Sequence, residues 1–447
     1  MIEESAILKH FCLANTLVPI NQSINQSINQ SINQYNTMDQ QAQIQISNNP
    51  EEELQRVLAA LATVFAFNTS ATAPSTSPQT REAADRYLTT FQKSSVAWII
   101  ADRLLSREST NDGTSTQIHF FAAQTIHVKC RSDIMQLKGD TNQLNSLRES
   151  LMAHLLKFIT VQKSGNAGSG AGAIVTRLAM ALCSLAVQMQ WDTIVTDLLT
   201  NLQQQQQGQG QGQGQTQTNQ MEMMHLVLEI AQLLPEEATS DRLLLTDENM
   251  RHRFVHNLTQ SSEKIFQFLL FCVSSNDAGG PSVKIKERVL QCVHSWVRNV
   301  RIPPLLLEQT QLFDWIFAIL QTNNLDLYGG DMFDISVDVV IEVLRCYPSD
   351  HRENMGLVHK LVPKIMALGQ DQDSPFQIAV REEEEDAMRD YCRIFTEMGE
   401  SYMSLIMHHE DLNQVALVEL VLACSAIPDN GELIVDLYYM FLNMWHA

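Results

Sequence analysis

The chain has 447 residues, 45% of them apolar, and a formal net charge of −21 from 51 acidic and 30 basic side chains. That length and apolar share allow several domains with a large core, and they rule out a chain that is disordered throughout. The charge argues against docking on nucleic acid through phosphates, which needs clustered Lys and Arg, and it suits a partner with a basic surface.

The eight cysteines (Cys12, Cys130, Cys183, Cys272, Cys292, Cys346, Cys392 and Cys424) are scattered without a CxxC spacing. Most lie in apolar helical runs, so they read as buried thiols of a reducing compartment and not as a disulfide framework or zinc site. Glu3 and Glu4 stand where a signal peptide needs positive charge. No run of about 18 consecutive apolar residues occurs, so no membrane insertion is expected. The expectation is a soluble, intracellular protein.

Residues 21–34 read NQSINQSINQSINQ, a repeat too polar to offset its ordering entropy. The text changes at Met38, which competes with Met1 as the start. Residues 1–50 are therefore expected as a disordered, low-complexity extension. Helical periodicity begins after Pro50. It predicts helices over 51–66, 80–93, 95–107, 116–131, 141–162, 172–189, 191–203 and 219–234. It continues over 247–275, 282–299, 305–322, 330–346, 353–368, 383–408, 411–427 and 431–446. Two low-complexity linkers interrupt the series. SGNAGSGAGA (164–173) carries Gly168, Gly170 and Gly172, but no Lys-Ser/Thr follows and no strand precedes it, so it is not a phosphate loop. The Gln-Gly tract at 203–220 is expected as a disordered insert.

Helices paired at roughly the 40–47-residue spacing of HEAT-type repeats make about eight pairs. The expected fold is all-α: a right-handed α-solenoid of HEAT-type antiparallel helix pairs. The helix IHFFAAQTIHVKCR (118–131) fits an inner position. On a helical wheel Ala122, Ala123, Ile126 and Cys130 share one arc, and Phe121 and Val128 share a second. Gln117, Gln124, His127 and Arg131 form a narrow polar strip, into which Phe120 intrudes. Lys129 lies off that strip. A helix that touches its pair partner and both neighbouring repeats needs two apolar arcs.

No catalytic constellation is recognisable. His252 and His256 are spaced i, i+4 but lack HExxH and a nearby carboxylate cluster, so they read as surface histidines. HHEDLNQ (408–414) lacks spaced ligands, and Asp411 suits a helix cap. No metal and no cofactor is expected, and the chain is not expected to be an enzyme. The densest charge is VREEEEDAMRDYCRIF (380–395). Glu382 to Asp386 suit the opening of a helix, where the dipole favours acids, and they equally suit a contact with a basic partner.

Several segments resemble the importin-β superfamily (karyopherins), in its transportin-SR and importin-thirteen branch. LTTFQKSSVAWIIADRLL (88–105) looks like the junction of the first two repeats, with Phe91, Ala97, Trp98, Leu104 and Leu105 in place. HFFAAQTIHVKCRSDIMQL follows it. IVTRLAMALCSLAVQMQW (174–191), LLPEEATSDRLLL (233–245), VLQCVHSWVR (289–298) and YCRIFTEMGESYMSLI (391–406) continue the likeness. The resemblance divides the chain into N-terminal-like repeats (51–135), exportin/importin-β-like repeats containing the insert (136–300) and further HEAT repeats (301–447).

The resemblance implies a nuclear import receptor shuttling between cytoplasm and nucleus. It implies Ran-GTP on the inner face of the N-terminal arch, phenylalanine-glycine repeats of nucleoporins on the outer helices and arginine/serine-rich proteins as cargo. Gln117, Gln124, His127, Arg131 and, less centrally, Lys129 are then the expected Ran-facing residues. Glu382, Glu383, Glu384 and Glu385 are an expected acidic contact. Family members are about twice as long, so the chain is expected to be an N-terminal half ending in an exposed apolar face at Leu433, Phe441 and Trp445. A HEAT-repeat scaffold and an exportin remain alternatives.

Overall fold

The computed structural model describes residues 46–47, 49–65, 78–108, 113–137, 141–163, 170–207, 213–274, 282–322, 330–402, 419–420 and 424. The expected helix 431–446 and the apolar face at Leu433, Phe441 and Trp445 lie outside them, as do all of the expected helix 411–427 but 419, 420 and 424, which are helical, and all of the expected 1–50 extension but 46, 47, 49 and 50. Among the described residues every regular element is a helix, as the periodicity requires.

The chain divides into two compact units, one up to Val96 and one from Ala97. The first holds α1 (Pro50–Phe65) and α2 (Pro78–Lys93), which pack together. Pro50 with Glu51, Glu52 and Glu53 suits a helix start: the proline lacks only an N–H that would be orphaned, and the acids face the positive dipole end. Glu53 is nonetheless buried. It accepts from Tyr87 Oη at 2.6 Å and from the Ser47 N–H at 2.9 Å.

The second unit is a stack of helix pairs. It contains α3 (Ala97–Ser106), α4 (Gly113–Ser132), α5 (Thr141–Lys163), α6 (Ala171–Met189), α7 (Ile194–Gln207), α8 (Gln213–Thr239) and α9 (Glu248–Ser274). It continues with α10 (Val283–Asn299), α11 (Pro304–Gln309), α12 (Leu312–Leu320), α13 (Gly330–Cys346), α14 (Met355–Ala367), α15 (Pro375–Glu382) and α16 (Glu385–Ser401). Each pair places one helix in a first layer, A (α3, α5, α7, α9, α11–α12, α14–α15). It places the other in a second layer, B (α4, α6, α8, α10, α13, α16). Along layer B each helix packs closely on the next, and layer A is joined more loosely. This is the expected α-solenoid of antiparallel pairs, in which one repeat buries its apolar face only against its neighbours.

The helix α6 shows what the middle of such a stack demands. Ile174, Leu178, Leu182, Leu185 and Val187 are all buried, because α4, α5 and α8 cover it on several sides. It is also the one described helix long and apolar enough to cross a membrane, and most of that surface is used inside the stack. Gly170 opens it where a Cβ would overlap the Thr116 side chain of α4.

Four boundaries differ from expectation. The Gln-Gly tract is helical from both sides: α7 runs to Gln207 and α8 starts at Gln213, with 208–212 outside the described residues. Glutamine is a good helix former, and both helices continue from packed turns. The expected helix 305–322 is two, broken at Thr310 and Gln311. The helix expected to open at 383 opens at Glu385, an unexpected short helix, Pro375–Glu382, precedes it, and Glu383 between them is left-handed at φ 57°.

The fourth is α8, which continues through Pro235 to Thr239. A proline there has no N–H for the carbonyl four residues back, that of Ala231. The Trp296 indole N–H of α10 reaches that carbonyl at 2.8 Å, and Ser295 Oγ takes the next one, Gln232, at 2.6 Å. The neighbouring repeat thus supplies what proline removes.

Candidate functional site

The layer-B helices carry polar side chains at isolated points of apolar faces. These join one repeat to the next. The deepest junction centres on Glu237 of α8, whose side chain is 2% exposed. Its Oε2 accepts from Arg131 Nε of α4 at 3.0 Å and from Ser184 Oγ of α6 at 2.8 Å, and Oε1 takes the Arg131 Nη2. His127 Nε2 lies 3.5 Å from Oε1, at the limit of a hydrogen bond. Burial pushes the Glu237 carboxyl up, but His127 and Arg131 outweigh it and hold it ionised. Burial pushes His127 down, with Arg131 and Arg177 adding to the effect against Glu237, so the imidazole stays neutral.

The next junction uses Glu229, two turns earlier on α8. It accepts from Thr176 Oγ1 of α6 at 2.7 Å and pairs with Arg288 of α10 at 2.9 Å. His294 of α10 and Glu342 of α13 stand 4.0 Å apart. Arg345 of α13 meets Glu397 of α16 at 2.7 Å, and Arg393 of α16 meets Asp338 of α13 at 2.7 Å. Asp338 and Asp390 both pair with Arg393, and Asp334 lies beside Asp390; burial raises Asp334 and Asp390, and Asp334 is raised further by Asp390 itself.

Layer A carries an open groove of about 490 Å³ between α7 and α9, lined by Thr196, Leu199, Lys264, Phe268 and Phe271 among others. Phe271, half exposed, stands at its edge.

Residues 172–340 match the family described as Exportin 1-like protein. Residues 383–446 match the Transportin-3/Importin-13 second TPR domain. The mRNA transport regulator MTR10 of Saccharomyces cerevisiae is 26% identical over 355 residues, covering 76% of this chain and 32% of that protein. Importin-13 of Homo sapiens is 25% identical over 379 residues, covering 83% and 34%, and Transportin MOS14 of Arabidopsis thaliana 26% over 376, covering 81% and 33%. The chain belongs to the karyopherin (importin-β) superfamily, in its transportin-SR/importin-13-like branch. This karyopherin chain spans about a third of the length of the curated relatives it matches.

Karyopherin layer B deals unequally with the residues singled out from sequence. Ala122, Ala123, Ile126 and Cys130 are buried, as the wheel predicts, and Phe121 and Val128 are half-buried. Gln117 and Gln124 are half-buried, and the Gln124 Oε1 is enclosed without a partner among the described residues. His127 and Lys129 are buried. Lys129 donates to Asp133 and Gln136 at 3.1 and 3.0 Å and stacks over Trp98 at 5.0 Å; Arg131 is half-buried on Glu237. Three of the five residues are thus engaged within the stack. Glu382, Glu383 and Glu385 are exposed and Glu384 half-buried. They do not open one helix: Glu382 ends α15, Glu383 reverses the chain and Glu385 starts α16.

Sequence reasoning missed Glu229, Glu237, Arg177, Ser184 and Arg288. The available signal was a charge isolated in an apolar helix, as in LVLEIAQLLPEE and IVTRLAMALC. One local arrangement resembles a hydrolase triad. Ser150 Oγ and His154 Nε2, the latter at 2.9 Å, both bond Asp102 Oδ1. The carboxylate is central, so the imidazole cannot take the serine proton. Among the described residues no group of three His, Cys, Asp or Glu could hold a metal ion. His252 and His256 are four residues apart on α9, and His256 bonds Gln260.

Proposed function

We propose that this chain serves nuclear transport as a receptor of the transportin-SR type. In this reading Ran in its GTP form binds the layer-B face. Arginine/serine-rich proteins are the cargo, and phenylalanine-glycine repeats of nucleoporins meet layer A. The receptor shuttles between cytoplasm and nucleus. The observation that carries the reading is the match of residues 383–446 to the Transportin-3/Importin-13 second TPR domain. Two features support it. Solenoids offer long surfaces to partners, and here layer B presents Asp331, Asp334 and Asp386 outward, which suits a basic protein surface. The groove beside Phe271 has the size and apolar lining for one aromatic ring.

The test is titration of the purified chain with Ran loaded with GTP or GDP. Preference for the GTP form is expected. Equal binding of both forms, or no binding, overturns the reading. The match of residues 172–340 to Exportin 1-like protein favours a second reading, an exportin. An exportin binds cargo together with Ran-GTP, whereas an importin releases it. Adding Ran-GTP to a preformed cargo complex separates the two.

A further inference from the structure

We propose that Arg177 is the docking point for a carboxylate, Asp or Glu, presented by the protein that sits on layer B. The proposal rests on the reading of that face as the Ran-binding one. Arg131, Arg288, Arg345 and Arg393 of layer B each meet a carboxylate of another helix. Arg177 sits in the same layer, half-buried near the middle of α6, and makes no ion pair among the described residues. Its guanidinium carbon lies 6.0 Å from the centre of the Phe120 ring, and Nη1 is 3.7 Å from the Met180 sulfur.

The nearby acids are already taken. Glu237 is held by Arg131 and Ser184, and Glu229 by Arg288 and Thr176. His127, close enough for Arg177 to depress its protonation, is neutral and offers no counter-charge. The strip beside Arg177 also holds polar atoms with no hydrogen-bond partner among the described residues, Gln124 Oε1 and His127 Nδ1. Such atoms are uncommon in folded proteins, and they mark this strip as one whose polar groups are incompletely satisfied.

Chemistry selects the ligand. A guanidinium steadied on an aromatic ring has lost part of its freedom before binding, and its fork of donors matches a carboxylate in two parallel hydrogen bonds. In a chain of net charge −21, a basic partner is attracted almost everywhere. An unpaired arginine is the opposite element: it accepts an acid at one place only and so fixes the register of the partner.

The test compares wild type, Arg177→Lys, Arg177→Gln and Arg177→Glu for binding of GTP-loaded Ran by calorimetry, with thermal melting of each. Loss of about tenfold or more in affinity is expected for Arg177→Glu, less for Arg177→Gln and least for Arg177→Lys. Melting should barely move for Arg177→Lys and Arg177→Gln, because Arg177 has no ion pair to lose among the described residues. Wild-type binding that Arg177→Gln and Arg177→Glu both leave unchanged overturns the assignment and leaves the Ran reading intact. A wild type that does not bind Ran-GTP removes the Ran reading and this inference with it. A fall in affinity matched by an equal fall in melting temperature across the series marks Arg177 as a structural group and also overturns the assignment.

Discussion

Trp296 of α10 donates its indole N–H to the Ala231 carbonyl of α8, the acceptor that Pro235 leaves empty one turn later. A helix-breaking residue is thereby tolerated inside a helix, because its repair lies in the next repeat. Trp296 is fully buried, so no water can substitute.

Trp296→Phe keeps most of the apolar volume and removes the donor. We expect a loss of about 2 kcal/mol, from an orphaned buried carbonyl and a small cavity, read as the midpoint of urea unfolding. If the loss is the proline's consequence, Pro235→Ala in the same background recovers part of it.

Glu237→Ala leaves Arg131 facing Ser184 and a neutral His127, with no counter-charge. Removing one partner of a buried pair costs about 3 kcal/mol, and here two helices lose their link to α8 together. Urea unfolding of the variant measures this. A change under about 1 kcal/mol would mean that water reaches Arg131 in its place.

Acid should weaken the stack in two stages. Burial, with Lys157 nearby, pushes His119 down to about 4. The unfolded imidazole takes its proton near 6.5, so the unfolded state binds the extra proton between those values. The contribution is complete above pH 6.5, falls as pH drops toward 4 and is flat below. Glu237 and Asp102, whose carboxyls are depressed, lose their contributions at lower pH still, as they take up protons in the folded state. Urea midpoints measured from pH 7 to pH 4 should fall less steeply for His119→Leu than for wild type.

Glu383 adopts a left-handed conformation between α15 and α16, where a side chain costs about 1 kcal/mol relative to glycine. Glycine also gains freedom in the unfolded chain, so Glu383→Gly should stabilise by only about 0.5 kcal/mol. Thermal melting resolves the sign.

Phe271 is half exposed beside the layer-A groove. Phe271→Ser should weaken binding of a phenylalanine-glycine repeat peptide severalfold and change stability by about 1 kcal/mol or less. Unchanged affinity would place that contact elsewhere on the chain.

The helical class was legible because apolar residues recur with the helical period over hundreds of residues, and Ala122, Ala123, Ile126 and Cys130 fell on the buried arc for that reason. The polar strip of α4 was legible as a strip but not as a junction. Arg131 meets a carboxylate 106 residues away, and nothing local to α4 says that α8 turns Glu237 toward it. The break at Glu383 was hidden because a run of acids also looks like a helix start. The passage through Pro235 was hidden because its compensation comes from Trp296, in another repeat.

The carboxylate of Glu237 has a mechanical consequence. One group clasps three successive layer-B helices, so any change of pitch there must break several bonds at once and the joint is stiff. Rising salt, which screens exposed ion pairs, should leave this enclosed joint largely as it is.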